Sequence, residues 1–168
     1  MAKKRGLPVK HFVAATNIND TVPNYLEDGN YNPKPSKATI SNAMDVGNPS
    51  NFIRIQELFD NDINKLKAKF SSYSFTDDET RTAMKSIKAI SGYTADPHGA
   101  VGYLGLKNYQ STDNEYGIFL ETAHPVKFLD IVENTLDTKV EVPLQIQAIL
   151  HKEKVAKQIA TYKELKEF

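Results

Sequence analysis

At 168 residues, 40% of them hydrophobic and eight each of Gly, Pro, Tyr and Phe, the chain is long enough for a sizeable core and too apolar to be disordered. Lysine plus arginine equals aspartate plus glutamate, 21 against 21, so no overall field draws it to nucleic acid or to an anionic membrane. The lack of cysteine removes disulfides, thiolate nucleophiles and Cys-type zinc sites; with no apolar run of membrane-spanning length and no signal-peptide core, the cytoplasm is the expected location.

Met1–Gly6 reads as the tail of a helix, with Lys3, Lys4 and Arg5 in a last turn, Gly6 as the stop and Pro8 just beyond. A helix already ending there points to a start upstream. Val9–Thr16 reads as a buried parallel strand, Asn17–Asp20 as a turn, Thr21–Glu27 as a short helix and Asp28–Ser36 as a loop. Thr39 and Ile40 lead into a polar turn around Gly47. Asn48 then sits where an N-cap belongs and Pro49 at the first helical position, beside free N–H groups that could meet an anion. The helix expected over Pro49–Lys69 carries Phe52, Ile55, Phe59, Leu66 and Phe70 on one face, a stripe that suits a core better than a cofactor pocket.

Ser71–Phe75 reads as a short extended segment, and Thr76 to Asp78 supply the cap and first-turn acids of a helix over Asp77–Ile90. Asp96-Pro97 opens another helix, Pro97–Tyr109, in which Gly99, Gly102 and Gly105 lower helix propensity and are best explained by close packing on a strand. Asp113–Gly117 turns into a strand, Ile118–Thr122, and His124-Pro125 opens a helix over Pro125–Leu136. A linker over 137–143 precedes a terminal helix, in one or two pieces, with Val155, Ile159, Tyr162 and Leu165 as its apolar face. The alternating charges of Lys152–Lys166 read as a solvated face.

Strand alternating with helix predicts an α/β fold with a mostly parallel sheet flanked by helices, over residues 1–136, and a C-terminal linker and helix over 137–168 packed on the same domain. In such a sheet the polar residues at strand-to-helix junctions gather at one edge, where ligands bind. Asn17, Asn42, Asp45, Asn48, Asp96, His98 and Thr122 could therefore meet in one crevice. The four histidines show no metal-ligand spacing, no nucleophile elbow is present, and Asp77 with Asp78 reads as a helix start rather than a catalytic dyad.

Four blocks resemble threonine synthase, a pyridoxal-phosphate enzyme of fold type II, and in the family's order. They are AATNINDTVP at Ala14–Pro23, SNAMDVGNPSNF at Ser41–Phe52, DPHGAVG at Asp96–Gly102 and LETAHPVKF at Leu120–Phe128. The resemblance implies part of the large domain of that fold, and conversion of O-phospho-L-homoserine and water to L-threonine and phosphate, with pyridoxal 5'-phosphate as the electron sink. It places Thr122 at the pyridine nitrogen, where a helix N-cap is the alternative, and Gly47 and Asn48 along the cofactor. Asn17, Asn42, Asp45, Asp96 and His98 fall toward the substrate side; for Asp96 capping weighs equally with direct ligation, and for His98 a structural role outweighs that of a base.

The family's Schiff-base lysine and Gly-rich phosphate loop lie upstream of these blocks and have no match here. The chain thus reads as the C-terminal portion of such an enzyme, with no catalytic residue of its own. By itself it is expected to be inactive, and to expose apolar surface where the N-terminal half would pack; self-association follows as a hypothesis. Two alternatives stay open: a non-catalytic module that binds a phospho-ligand or a partner, and another pyridoxal-phosphate lyase of fold type II.

Overall fold

A computed structural model describes residues 3–109 and 115–167; the beginning of the expected first helix and the turn expected at Asp113 lie outside the described residues. Two parallel strands form the sheet, β1 (Phe12–Thr16) and β2 (Phe70–Ser74), in register from Phe12 opposite Phe70 to Thr16 opposite Ser74. The alternation of side chains along β1 divides the protein into two layers. Ala14 faces a cluster built by α1 (Thr21–Asp28), α2 (Phe52–Leu58) and α3 (Ile63–Lys67), whose buried members are Val22, Tyr25, Leu26, Phe52 and Leu66. Val13 and Ala15 face α5 (Pro97–Asn108), where a side chain on Gly105 would come within 2.6 Å of the Ala15 Cβ. Close packing of a glycine on a strand, as expected from the sequence, is what Gly105 does.

The second core joins α4 (Asp77–Ser91), α5 and α6 (Leu129–Leu136) through Ala83, Met84, Ile87, Ala95, Ala100 and Val132. Full burial of side chains such as Met84 and Val132 contributes about 1.5–3 kcal/mol each. Helix α4 follows its local code closely. Thr76 accepts from the Glu79 N–H and Glu79 returns a bond to the Thr76 N–H, and Gly92 ends the helix with φ of 73°. Thr80, Ala83, Met84 and Ile87 are its buried stripe.

Four elements differ from expectation. The single helix over Pro49–Lys69 is two short ones. A turn from Pro49 to Phe52 precedes α2, whose N-cap is Asn51 rather than Asn48, and the chain breaks again at Asp60 and Asn61, both with φ of 57°, before Asp62 caps α3 by accepting from Asn64 and Lys65. Short polar side chains tolerate that left-handed conformation. Even so Phe52, Ile55, Phe59, Leu66 and Phe70 all reach the one cluster, because the break turns the chain around it. Ile118–Thr122 has no regular secondary structure and pairs with no strand among the described residues, and Tyr116, Ile118 and Leu120 are exposed. The helix expected at the C-terminus is reduced to α7 (Leu144–Gln147) and α8 (Tyr162–Lys166); Val155, Ile159, Tyr162 and Leu165 are exposed, and no apolar face forms. The helix expected over Pro125–Leu136 begins as a 3-10 turn, Pro125–Phe128, before α6. No helix among the described residues is long and apolar enough to cross a membrane.

Candidate functional site

The carboxyl end of β1 delivers Asn17 into the protein, 1% exposed, and its amide organises the loop opposite. Asn17 Nδ2 donates to Thr39 Oγ1 at 2.8 Å, to Asp45 Oδ1 at 2.8 Å and toward Ser41 Oγ at 3.2 Å, while its Oδ1 accepts from the Asn19 N–H and side-chain amide. Asp45 closes the same loop on itself: Oδ1 also accepts from Thr39 Oγ1 at 2.7 Å, and Oδ2 accepts the Thr39 N–H at 3.0 Å. Five polar residues from two separate stretches of sequence thus satisfy one another, as buried polar groups must. Asn17 and Asp45 are brought together as the sequence suggested, and both are committed to holding residues 39–45 in shape. Thr39, Ser41 and Asn19, which complete the network, were not singled out from sequence; a Ser or Thr in a loop carries no spacing signal.

The start of α5 forms the neighbouring wall. Asp96, fully buried, is the N-cap: its Oδ1 accepts the His98 N–H at 2.8 Å and faces His98 Nδ1 at 2.7 Å. The other ring nitrogen, Nε2, accepts the Ala43 N–H at 3.1 Å. Nδ1 must therefore carry the ring proton and donate it to Asp96. Both nitrogens are occupied, so His98 ties α5 to the 3-10 turn Asn42–Met44 and has no lone pair left for a substrate proton; its ring packs on Phe128. Asn42 itself is exposed on the outside of that turn.

A third carboxyl group, unanticipated in the sequence, joins this wall. Glu121 Oε1 accepts the Asp96 N–H at 3.0 Å. A methyl group on Gly99 would overlap the Glu121 carboxyl, so this glycine makes room for an acid. Glu121 Oε2 and Asp96 Oδ2 are both buried with no other protein partner. Burial, and then the adjacent Asp96, push the Glu121 carboxyl up to about 7. Burial also works against ionisation of Asp96, but the His98 ring and N–H and the Glu121 hydroxyl hold it below the usual carboxylate range. Of the two carboxyl groups, Glu121 is the one whose environment favours keeping a proton.

Thr122, next in the chain, is exposed, and no hydrogen bond to its hydroxyl is formed by any described residue. It is not a cap: His124 Nδ1 accepts the Val126 N–H at 3.1 Å and fills that role. An exposed hydroxyl with no described partner, next to the held Glu121, suits the ring nitrogen of the cofactor that the resemblance implies. The start of α5 does not fit that cofactor's phosphate, because Asp96 and Glu121 already occupy the position an anion would take. Gly47 lies at the far end of the loop, buried. Its carbonyl accepts from Thr21 Oγ1 at 2.7 Å, and a side chain there would overlap the Lys34 carbonyl, so the close approach to this glycine is made by the chain itself. Asn48 is exposed and its Oδ1 accepts from the Tyr31 hydroxyl at 3.0 Å. The structure therefore joins Asn17 and Asp45 in one network and Asp96 and His98 in the next, with the Ala43 contact between them, while Gly47 and Asn48 make their contacts with a different loop. Among the described residues no cluster of His, Cys, Asp or Glu could hold a metal ion.

A family model described as "Threonine synthase, C-terminal" matches residues 99–168. Threonine synthase of Escherichia coli (strain K12) is 48% identical over 147 residues, covering 87% of this chain and 33% of that protein. The crystal structure of threonine synthase from Escherichia coli superposes with a TM-score of 0.81 at 46% identity, covering 88% of this chain and 34% of the other. An X-ray structure of threonine synthase from Brucella melitensis with PLP bound superposes with a TM-score of 0.77 at 29% identity, covering 86% and 36%. The chain spans about a third of the length of the curated relatives it matches.

Proposed function

We infer that this chain is the C-terminal portion of a threonine synthase, acting in the cytoplasm, and that it builds one wall of a site in which O-phospho-L-homoserine and water become L-threonine and phosphate. Pyridoxal phosphate, when bound, supplies the electron sink that both the elimination and the water addition need. The reading is carried by Thr122, an exposed hydroxyl with no described partner, at the end of a segment fixed to the start of α5.

In this reading Thr122 Oγ1 donates to the ring nitrogen. A neutral hydroxyl does not hold that nitrogen protonated as a carboxylate would, so the electron sink is moderate. Asn17 and Asp45 shape the loop 39–45 from behind, and His98 holds its 3-10 turn against α5. Asn42 and Asn48, both exposed, offer side-chain amides to substrate and cofactor. Asp96 works as a cap and as the acceptor of the His98 proton, rather than as a direct ligand. The exposed Tyr116, Ile118 and Leu120 are proposed to meet the part of the enzyme that the relatives carry ahead of this region.

A free-standing phosphate-binding module is less well served, since the longest Pro-initiated helix start in the chain presents two carboxyl groups to an incoming anion. The test is a chimera in which residues 3–167 replace the C-terminal third of the Escherichia coli relative. Phosphate release from O-phospho-L-homoserine is expected from the chimera, with a loss of at least about tenfold on Thr122→Val. A fully active Thr122→Val chimera would remove the assigned role of that hydroxyl.

A further inference from the structure

Residues 116–122 have no regular secondary structure and no strand partner among the described residues, and Tyr116, Ile118 and Leu120 are exposed, yet Glu121 near the end of the segment is held. What holds it there is its own carboxyl group. Glu121 enters the first turn of α5 through the space that Gly99 leaves, takes the Asp96 N–H at 3.0 Å, and buries Oε2 beside Asp96 with no other described partner. Joint ionisation of two carboxyl groups in such proximity is disfavoured. His98 settles which one ionises, because its Nδ1 proton and its N–H both point at Asp96.

We propose that Glu121 is a positioning residue that holds Thr122 in place by sharing a proton with Asp96, forming a clamp that closes when Glu121 is protonated and loosens when it ionises. The proposal rests on the reading of Thr122 as the ring-nitrogen contact. Because His98 carries the same cluster across to the Ala43 N–H, the one proton links the Thr122 segment to the loop 39–45 as well. Among the described residues the titratable groups facing Glu121 are Asp96 and His98 on α5 and Tyr93 before it, and no lysine or arginine compensates its charge. The Tyr93 hydroxyl is itself pushed up by burial and then by the two carboxyl groups. Ionisation of Glu121 would thus add a second buried negative charge to a cluster that already holds one.

The experiment is amide hydrogen exchange at the Asp96 and Ala43 N–H groups, which donate to Glu121 Oε1 and His98 Nε2, in the full chain, with protection factors corrected for the intrinsic rate at each pH. Protection is expected to fall about tenfold between about pH 6 and about pH 8 in the wild type. Glu121→Gln keeps an uncharged donor toward Asp96 and is expected to hold protection constant over that range, whereas Glu121→Ala lowers it at every pH. A flat wild-type profile, or a Glu121→Gln profile that follows the wild type, would overturn the clamp. If Glu121→Ala does not fold, the Gln profile still decides. Thr122→Val leaves the clamp atoms intact and should reproduce the wild-type exchange profile. A Thr122→Val protein with wild-type exchange and unimpaired chimera activity would therefore count against the role of Thr122 alone, and a flat profile with impaired activity against the clamp alone.

Discussion

His98 Nε2 accepts the backbone N–H of Ala43 at 3.1 Å across 55 positions of sequence, and with this bond the α5 start and the 39–45 loop become one body. The same ring spends its other nitrogen on Asp96, so it is used up as a structural bridge. His98→Ala removes a donor from a buried carboxylate and an acceptor from a backbone N–H. We expect a loss of about 2–4 kcal/mol in urea unfolding, with little effect from the unbridged exposed histidine changed in His151→Ala.

Asn17 is the hub of the buried network, and its amide cannot be replaced by a carboxylate. Asn17→Asp would set a second acid against Asp45 Oδ1, where the amide now donates at 2.8 Å. A destabilisation of about 3 kcal/mol or more is expected at neutral pH, exceeding that of Asn17→Ala, with the difference read from paired denaturant midpoints.

Gly99 provides a prediction that changes sign with its neighbour. In the wild type, Gly99→Ala forces a methyl group onto the Glu121 carboxyl and should destabilise by about 1–3 kcal/mol. In a Glu121→Ala background the space is empty, and the same substitution should stabilise by up to about 1 kcal/mol through helix propensity. A double-mutant cycle measures this coupling directly; additive effects would mean that the two residues do not meet.

The pH dependence of global stability follows from the raised Glu121 carboxyl. Its folded-state pKa of about 7 lies above the ordinary glutamate value of 4.5, so the folded protein binds the proton more tightly than the unfolded chain. This contribution is complete below about pH 4.5 and is lost as pH rises through about 7. Asp96 acts in the opposite sense, its lowered carboxyl adding stability that disappears only in acid. Glu121→Gln should therefore match the wild type near the acid end of the window and exceed it at about pH 8, as read from denaturant midpoints across the range.

Much of the fold was legible because helix ends carry their own signals. Thr76 with Glu79, Asp96 with Pro97 and the glycines after α1 and α4 mark boundaries within a residue or two of those observed. The helix over Pro49–Lys69 was misjudged because its apolar spacing outweighed the run Asp60-Asn61-Asp62, three residues that favour left-handed turns and caps. Ile118–Thr122 has a strand's composition, but pairing depends on a neighbouring chain segment that periodicity cannot reveal. At the candidate site, Asn17 meets Asp45 in one hydrogen-bond network and Asp96 meets His98 in the next, with the His98–Ala43 bond between them. Glu121 escaped notice because a lone acid in a segment without regular structure has no spacing to betray it, and its only sequence trace was the glycine at 99 that makes room for it.

The glycines of α5 have a kinetic consequence. Gly99 meets Glu121, Gly102 meets Phe119 and Gly105 meets Ala15, so each missing side chain is matched to a partner well away in sequence. Against alanine the three cost about 3 kcal/mol of intrinsic helicity, more than a twelve-residue segment can recover alone. A peptide spanning α5 should accordingly be a coil in water. During refolding this helix should consolidate after β1 has formed, leaving the whole α5-centred wall to mature in the last step before the native state.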